Sequence, residues 1–192
     1  MAILILGLVL FLGVHSTRIV ADGWRSATIA RIGENPWKGL YSVLSIAGFA
    51  LVIWGYGLAR QQPVVLWTPP RGMNHLASLL TLVAFVLLAA AYVPGNQIKA
   101  RLHHPMVLSV KTWALAHLLA NGNLADVLLF GSFLAWAVLS FSAARRRDRE
   151  AGTVYIAGHA GRTAITVVAG LVAWAVFAFW LHAPLIGVRP IA

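Results

Sequence analysis

The chain has 192 residues, 60% of them hydrophobic and 10% charged, and its mean hydropathy is +0.80. A water-soluble domain of this composition would lack the polar residues to cover its surface, so the sequence indicates an integral membrane protein. The absence of cysteine excludes disulfides, thiolate metal sites and a catalytic thiol, and the formal charge of +10 does not point to nucleic acid, because the basic residues sit at helix ends rather than on one surface.

The first apolar run, 2–21, lacks the basic leader of a signal peptide and is followed by more membrane sequence, so it reads as a first helix. GENPWKG at 33–39 is turn chemistry that ends at the start of a second helix, 39–58. Ser42, Ser45, Gly48, Gly55 and Gly57 on that helix are small enough to let another backbone approach. RQQPVVLWTPPRGMN, 60–74, is a proline-interrupted outer loop with Trp67 at the interface, and a third helix follows at 74–93. YVPGNQIKARLHHP, 92–105, connects on the inside to a shorter fourth candidate at about 104–120. NGN at 121–123 folds this helix and a fifth, 124–144, into a tight antiparallel hairpin. RRRDRE, 145–150, reads as a solvated cytoplasmic anchor, and a sixth helix spans 163–186. Apart from the fourth, each run is near the ~20 residues that cross a ~30 Å hydrocarbon core. The expected fold is all-α: a single polytopic membrane domain, 1–192, of about six transmembrane helices.

Six spans also sort the charges. The connections after helices one, three and five hold Arg18, Arg25, Arg31, Lys38, Lys99, Arg101, Arg145, Arg146, Arg147, Arg149 and Arg162, whereas the other side holds only Arg60, Arg71 and Arg189. Positive residues favour the cytoplasmic side, which puts both termini outside, in the periplasm of a bacterial inner membrane.

Ionisable residues inside a span are functional candidates that need partners. His15 lies well inside helix one, and HHPMVLSVKTWALAH, 103–117, brings three histidines and Lys111 into helix four. His104 and His117 are thirteen residues apart, about 20 Å along a straight helix and about 140° around it, so they cannot bind one metal ion together. Asp126 is the acid that the hairpin brings opposite residues near 117; it either orients His117 through the free ring N–H or caps the start of helix five. His104, Lys111 and Arg101 form a positive strip suited to the carboxylates of a cofactor or an anionic substrate; the alternative is that Lys111 snorkels and His104 caps the helix. His75 is either interfacial or a substitute ligand for His117. His103, His159 and His182 read as interfacial or solvated. Imidazole ligands without thiolates or carboxylate clusters point to haem, copper or zinc, and two histidines from different helices suffice for haem b.

LGLVLFLGVHSTR (6–18), WKGLYSVLSIAGFALVIWGYG (37–57), AAAYVPGNQIKARLHHPMVLSVKTWALAHLLANG (89–122) and ADVLLFGSFLAWAVLSF (125–141) together resemble the NnrU family of bacterial membrane proteins. That family is similar in turn to the plant 15-cis-zeta-carotene isomerase, a membrane haem b enzyme, through the helix-one HS and the helix-four HP-M-V and W-x-L-A-H patterns. The resemblance implies haem b with His15 and His117 as its metal ligands and matches His104 to the HP histidine. It leaves Lys111, Arg18 or Arg101 for the propionates. Where the isomerase has cysteine in W-C-L-A-H this chain has Ala114, so a thiolate ligand is not available. NnrU proteins are associated with nitrite and nitric oxide metabolism in denitrification.

Straight full-length helices would leave His15 roughly 10–15 Å deeper than His117. A hairpin tip sunk below the outer surface removes that difference if its backbone is satisfied; otherwise His15 with His104 is the better pair. The implied function is a haem-dependent isomerase or redox protein acting on a lipophilic, carotenoid-like substrate, or a haem protein responsive to nitric oxide. A non-catalytic assembly factor for denitrification enzymes is one alternative. The other is a methyltransferase-like membrane enzyme, suggested by HPM but opposed by His103 in place of its arginine.

Overall fold

A computed structural model describes residues 1–190; Ile191 and Ala192, the end of the expected domain 1–192, lie outside the described residues. The chain folds into helices α1 (Ala2–Val20), α2 (Asp22–Ile32), α3 (Glu34–Ala59), α4 (Met73–Tyr92), α5 (Gln97–Leu102), α6 (Pro105–Ala120), α7 (Leu124–Glu150) and α8 (Ala160–Val176). A π-helical turn, Phe177–Leu181, then leads into α9 (His182–Ile186). Five segments are long and apolar enough to cross a membrane: α1, α3, α4, α7 and the continuous stretch Ala160–Ile186. The sixth candidate is α6, which at 16 residues is about 24 Å long.

Several boundaries differ from the expected ones, each for a local reason. α3 begins at Glu34, inside the expected GENPWKG turn, because Pro36 falls in the first helical turn, where amide protons have no intrahelical acceptor in any case. Gly33, at φ 90°, ends α2 and permits the change of direction that an L side chain would resist. The stretch 22–32, expected as connection, is the helix α2; Asp22 in its first turn lies 3.7 Å from Arg25, and Trp24 meets Trp37 edge to face. The connection 92–105 likewise contains α5. The RRRDRE segment continues α7 as its last turns, with Arg146, Arg149 and Glu150 exposed. Near the C-terminus, Pro184 cannot donate to the carbonyl one turn back, and the ladder widens into the π-turn just ahead of it.

The described residues divide into two compact units, the first made of Met1–Trp67 and Gly122–Ser140. In it, α1 and α3 approach so closely that glycine is needed at the contact points. A Cβ on Gly48 would stand 2.7 Å from the Phe11 backbone nitrogen, one on Gly7 would stand 2.6 Å from that of Val52, and one on Gly55 would strike the Leu4 backbone. Lipid provides no hydrophobic drive for helix pairing, so this close backbone packing supplies the contact that holds the pair. The loop between α3 and α4 covers the turn before α7 within this unit. The Gly122 carbonyl accepts from the Leu66 and Trp67 amides at 2.8 and 3.2 Å, and the Leu124 amide donates to Val64 O at 2.8 Å. Gly122 is buried, and protein groups therefore satisfy a backbone that lipid could not.

The second unit comprises Thr68–Asn121 and Phe141–Ala192. α4 packs against α6, where Ser109 Oγ donates to Ala84 O at 2.7 Å, and against α8, where Trp174 Nε1 donates to Thr81 Oγ1 at 3.2 Å. A Cβ on Gly170 would lie 2.5 Å from Val86 Cα. Asn96, 1% exposed, ties the end of α4 to the start of α5: its Nδ2 donates to Ala90 O at 2.9 Å, and its Oδ1 accepts from the Lys99 amide at 2.7 Å.

Candidate functional site

His15, in the first unit, is half-buried among aromatic rings. Its Nδ1 lies 2.7 Å from Phe11 O, one turn back. A carbonyl can only accept, so Nδ1 carries a proton, and it is Nε2 that holds the lone pair when the ring is neutral. The rings of Phe11, Tyr41 and Trp136 lie 4.2, 5.2 and 6.1 Å away, Trp136 edge-on. Trp136 Nε1 is buried without a hydrogen-bond partner, an unmet donor beside the imidazole that a bound acceptor would satisfy.

His117, in the second unit, has the same construction. Its Nδ1 lies 2.9 Å from Trp113 O, again one turn back, and its ring packs against the Trp113 indole at 5.2 Å. The Asn121 side chain closes the helix end on His117 O at 2.8 Å. Backbone anchoring of one ring nitrogen fixes the tautomer and sets the other up as a metal ligand. Taken singly, each histidine offers an imidazole nitrogen of the kind that haem iron takes as a ligand. Among the described residues no group of three or more His, Cys, Asp or Glu side chains gathers as a metal cluster.

Asp126 is 3% exposed and lies in the first unit. Its Oδ2 accepts from Asn123 Nδ2 at 2.9 Å and from the Asn123 amide at 3.3 Å, which is the cap at the start of α7. Its Oδ1 accepts from the Tyr56 hydroxyl at 2.6 Å. Tyr56 carried no sequence signal of its own, since a lone tyrosine in a span reads as an interfacial aromatic.

A second cluster surrounds His104. This residue occupies the N-cap position of α6, but its side chain does not cap; its Nε2 lies 2.7 Å from Asp148 Oδ2. The same oxygen accepts from the Tyr155 hydroxyl at 2.8 Å, and Arg145 bonds to His103 Nδ1. His103 stacks on Tyr155 with ring centroids 3.7 Å apart and planes 2° from parallel. His103 is the positive-φ non-glycine among the described residues, at φ 68°, a sterically costly conformation that the stacking and Arg145 hold in place. Burial, and then the Asp148 hydrogen bond, raise the Tyr155 phenol above its ordinary value. His103, Arg145 and Asp148 are thus parts of a cross-linked cluster, while Arg146, Arg149 and Glu150 of the RRRDRE run are exposed. The one signal that pointed to it was an acid placed among arginines; Tyr155 gave none.

The other expected site residues are distributed. Lys111 is half-buried on α6; Arg18 is exposed in the last turn of α1; Arg101 is exposed on α5; and His75 is exposed at the start of α4. Arg101 lines a cleft of about 230 Å³ with Gln97, Ala100, Tyr155, Ala157 and Gly158.

No curated protein and no solved structure matches the chain. A family model described as NnrU protein matches residues 3–190, nearly the full length and every helix described above. This chain belongs to the NnrU family.

Proposed function

We propose that this NnrU-family membrane protein binds haem b through His15 and His117. It would serve as a haem-dependent isomerase or redox protein on a lipophilic substrate, or act in nitrite and nitric oxide metabolism. The observation that carries the reading is the shared anchoring: each histidine donates Nδ1–H to the carbonyl four residues back, at 2.7 Å from Phe11 O and 2.9 Å from Trp113 O. His182 also donates through Nδ1, but to Val188 O six residues on, near the chain end and outside the resemblance to the isomerase. When bound, haem b supplies one-electron redox chemistry and an iron that takes up nitric oxide. Of the chain's own residues, His15 and His117 would coordinate through Nε2, Lys111, Arg18 or Arg101 would meet carboxylates, and Trp136 Nε1 offers a donor beside His15. The likeness of the HS and LAH segments to zeta-carotene isomerase supports the same assignment. The charge distribution supports both termini lying outside a bacterial inner membrane.

The test is the visible spectrum of the detergent-purified protein, produced with haem in ample supply, oxidised and reduced. We expect a Soret band with sharp reduced α and β bands, shifted or abolished in His15→Ala and in His117→Ala. A colourless protein sinks the haem reading and favours a non-catalytic assembly role. A spectrum unchanged in His117→Ala but lost in His104→Ala or His75→Ala reassigns the second ligand.

A further inference from the structure

We propose that the cleft between α5 and residues 155–158 is a binding site for a phosphate-bearing anion, with Arg101 as the charge that recognises it. The cleft lies in the second unit, is lined by Gln97, Ala100, Arg101, Tyr155, Ala157 and Gly158, and has a volume of about 230 Å³. Sites for drug-sized ligands start near ~300 Å³, so this one suits a headgroup or a small phosphate rather than a macrocycle. It stands on the geometry of this cleft and does not require the haem assignment, in which Arg101 is one of three candidate partners of the propionates.

Both walls are fastened. The His159 amide donates to Gly95 O at 2.8 Å and the Gln97 amide donates to Thr163 Oγ1 at 2.9 Å. Gly158 sits so close to the Asn96 carbonyl that any Cβ there would collide with it. On the other side, Tyr155 is fixed by the stack on His103 and by the bond to Asp148. A preformed cleft spares a ligand the cost of ordering its walls.

The charges then select the ligand. The chain has five acids, of which only Asp148 and Glu150 belong to this unit. Asp148 is engaged by His104 and Tyr155, and Glu150 lies 3.8 Å from Arg146 Nε. Among the described residues Arg101 forms no ion pair or hydrogen bond, so an uncompensated guanidinium lines the cleft. Its planar fork matches two phosphate oxygens at once. α5 follows the end of α4 and precedes the start of α6, which puts the cleft at the border of the spans, where lipid headgroups lie. Basic pockets at such borders bind anionic headgroups.

The experiment is isothermal titration calorimetry on the full-length protein in non-ionic detergent at fixed ionic strength. The probes are dihexanoylphosphatidylglycerol, dihexanoylphosphatidylcholine and inorganic phosphate. We expect saturable one-site binding of phosphatidylglycerol, phosphate or both, weakened about tenfold in Arg101→Gln, as for one lost charge-assisted contact. Arg101→Lys should retain part of the affinity, and Arg149→Gln, exposed at the end of α7, should retain all of it. Phosphatidylglycerol binding that phosphate does not displace identifies a lipid headgroup as the source; displacement by phosphate identifies a free phosphate. No saturable binding of either probe, equal binding of phosphatidylcholine, or equal loss in Arg101→Gln and Arg149→Gln would overturn the proposal.

Discussion

At Asp148 a single carboxylate oxygen serves two donors, His104 Nε2 and the Tyr155 hydroxyl, at 2.7 and 2.8 Å. The side chains of His104 and Asp148 are 22% and 19% exposed, so water compensates only partly when the acceptor is removed. Hydrogen bonds to a charged group contribute more than neutral ones, and two orphaned donors cost more than one. We expect Asp148→Ala to destabilise the protein by about 1–2 kcal/mol, near the lower end for such groups because of their partial exposure. In a chain of this length that corresponds to an apparent Tm about 2–8 °C lower in detergent. Asp148→Asn, which retains an acceptor oxygen, should lose less. Identical fluorescence-monitored melts for wild type and Asp148→Ala would show that the cluster adds nothing to stability.

On the scale of the helices, small residues decide which surfaces meet. Gly55 and Gly57 are two positions apart on α3, yet only Gly55 faces the α1 backbone; the Cβ position of Gly57 has open space around it. Gly55→Ala therefore forces the Leu4 backbone away and should cost about 1–3 kcal/mol, as overpacking does. Gly57→Ala should be neutral or slightly stabilising, since alanine favours the helix. The pair of melts checks both, and equal effects would place α1 elsewhere on α3. The spacing of Gly48 and Gly55 was readable from the sequence as a packing signal because seven residues return to the same helix face. The apolar spans were readable too, since length and hydrophobicity are local properties. What was not readable depends on distant partners. α2 and α5 are short helices in polar connections, whose propensity alone leaves them marginal. His104 meets an acid 44 residues away, and no periodicity links the two. For Asp126 the cap was one of two readings open from the sequence, because the Asn123 partner is three residues off; its bond to Tyr56, 70 residues off, was hidden.

For the molecule as a whole, the short helix α6 decides the topology. If α6 failed to cross, the chain would have five spans, and the arginines at the end of α7 would emerge on the same side as the loop after α3. Two observations oppose this. Arg145 and Asp148, near the end of α7, bond to His103 and His104, just ahead of α6. Both bonds lie within the second unit and hold the end of α7 at the start of α6. The charges agree: Lys99 and Arg101 then share a side with Arg145, Arg146, Arg147 and Arg149, as the positive-inside tendency requires. Because the chain has no cysteine, single substitutions report without background. We expect Gln62→Cys, in the loop after α3, to react with a membrane-impermeant maleimide in intact cells, and Thr153→Cys, after α7, to react only once the membrane is permeabilised. The opposite pattern would invert the orientation but keep six crossings. Labelling of both from outside would mean that α6 enters and leaves the membrane on one face, and the six-helix bundle would have to be redrawn.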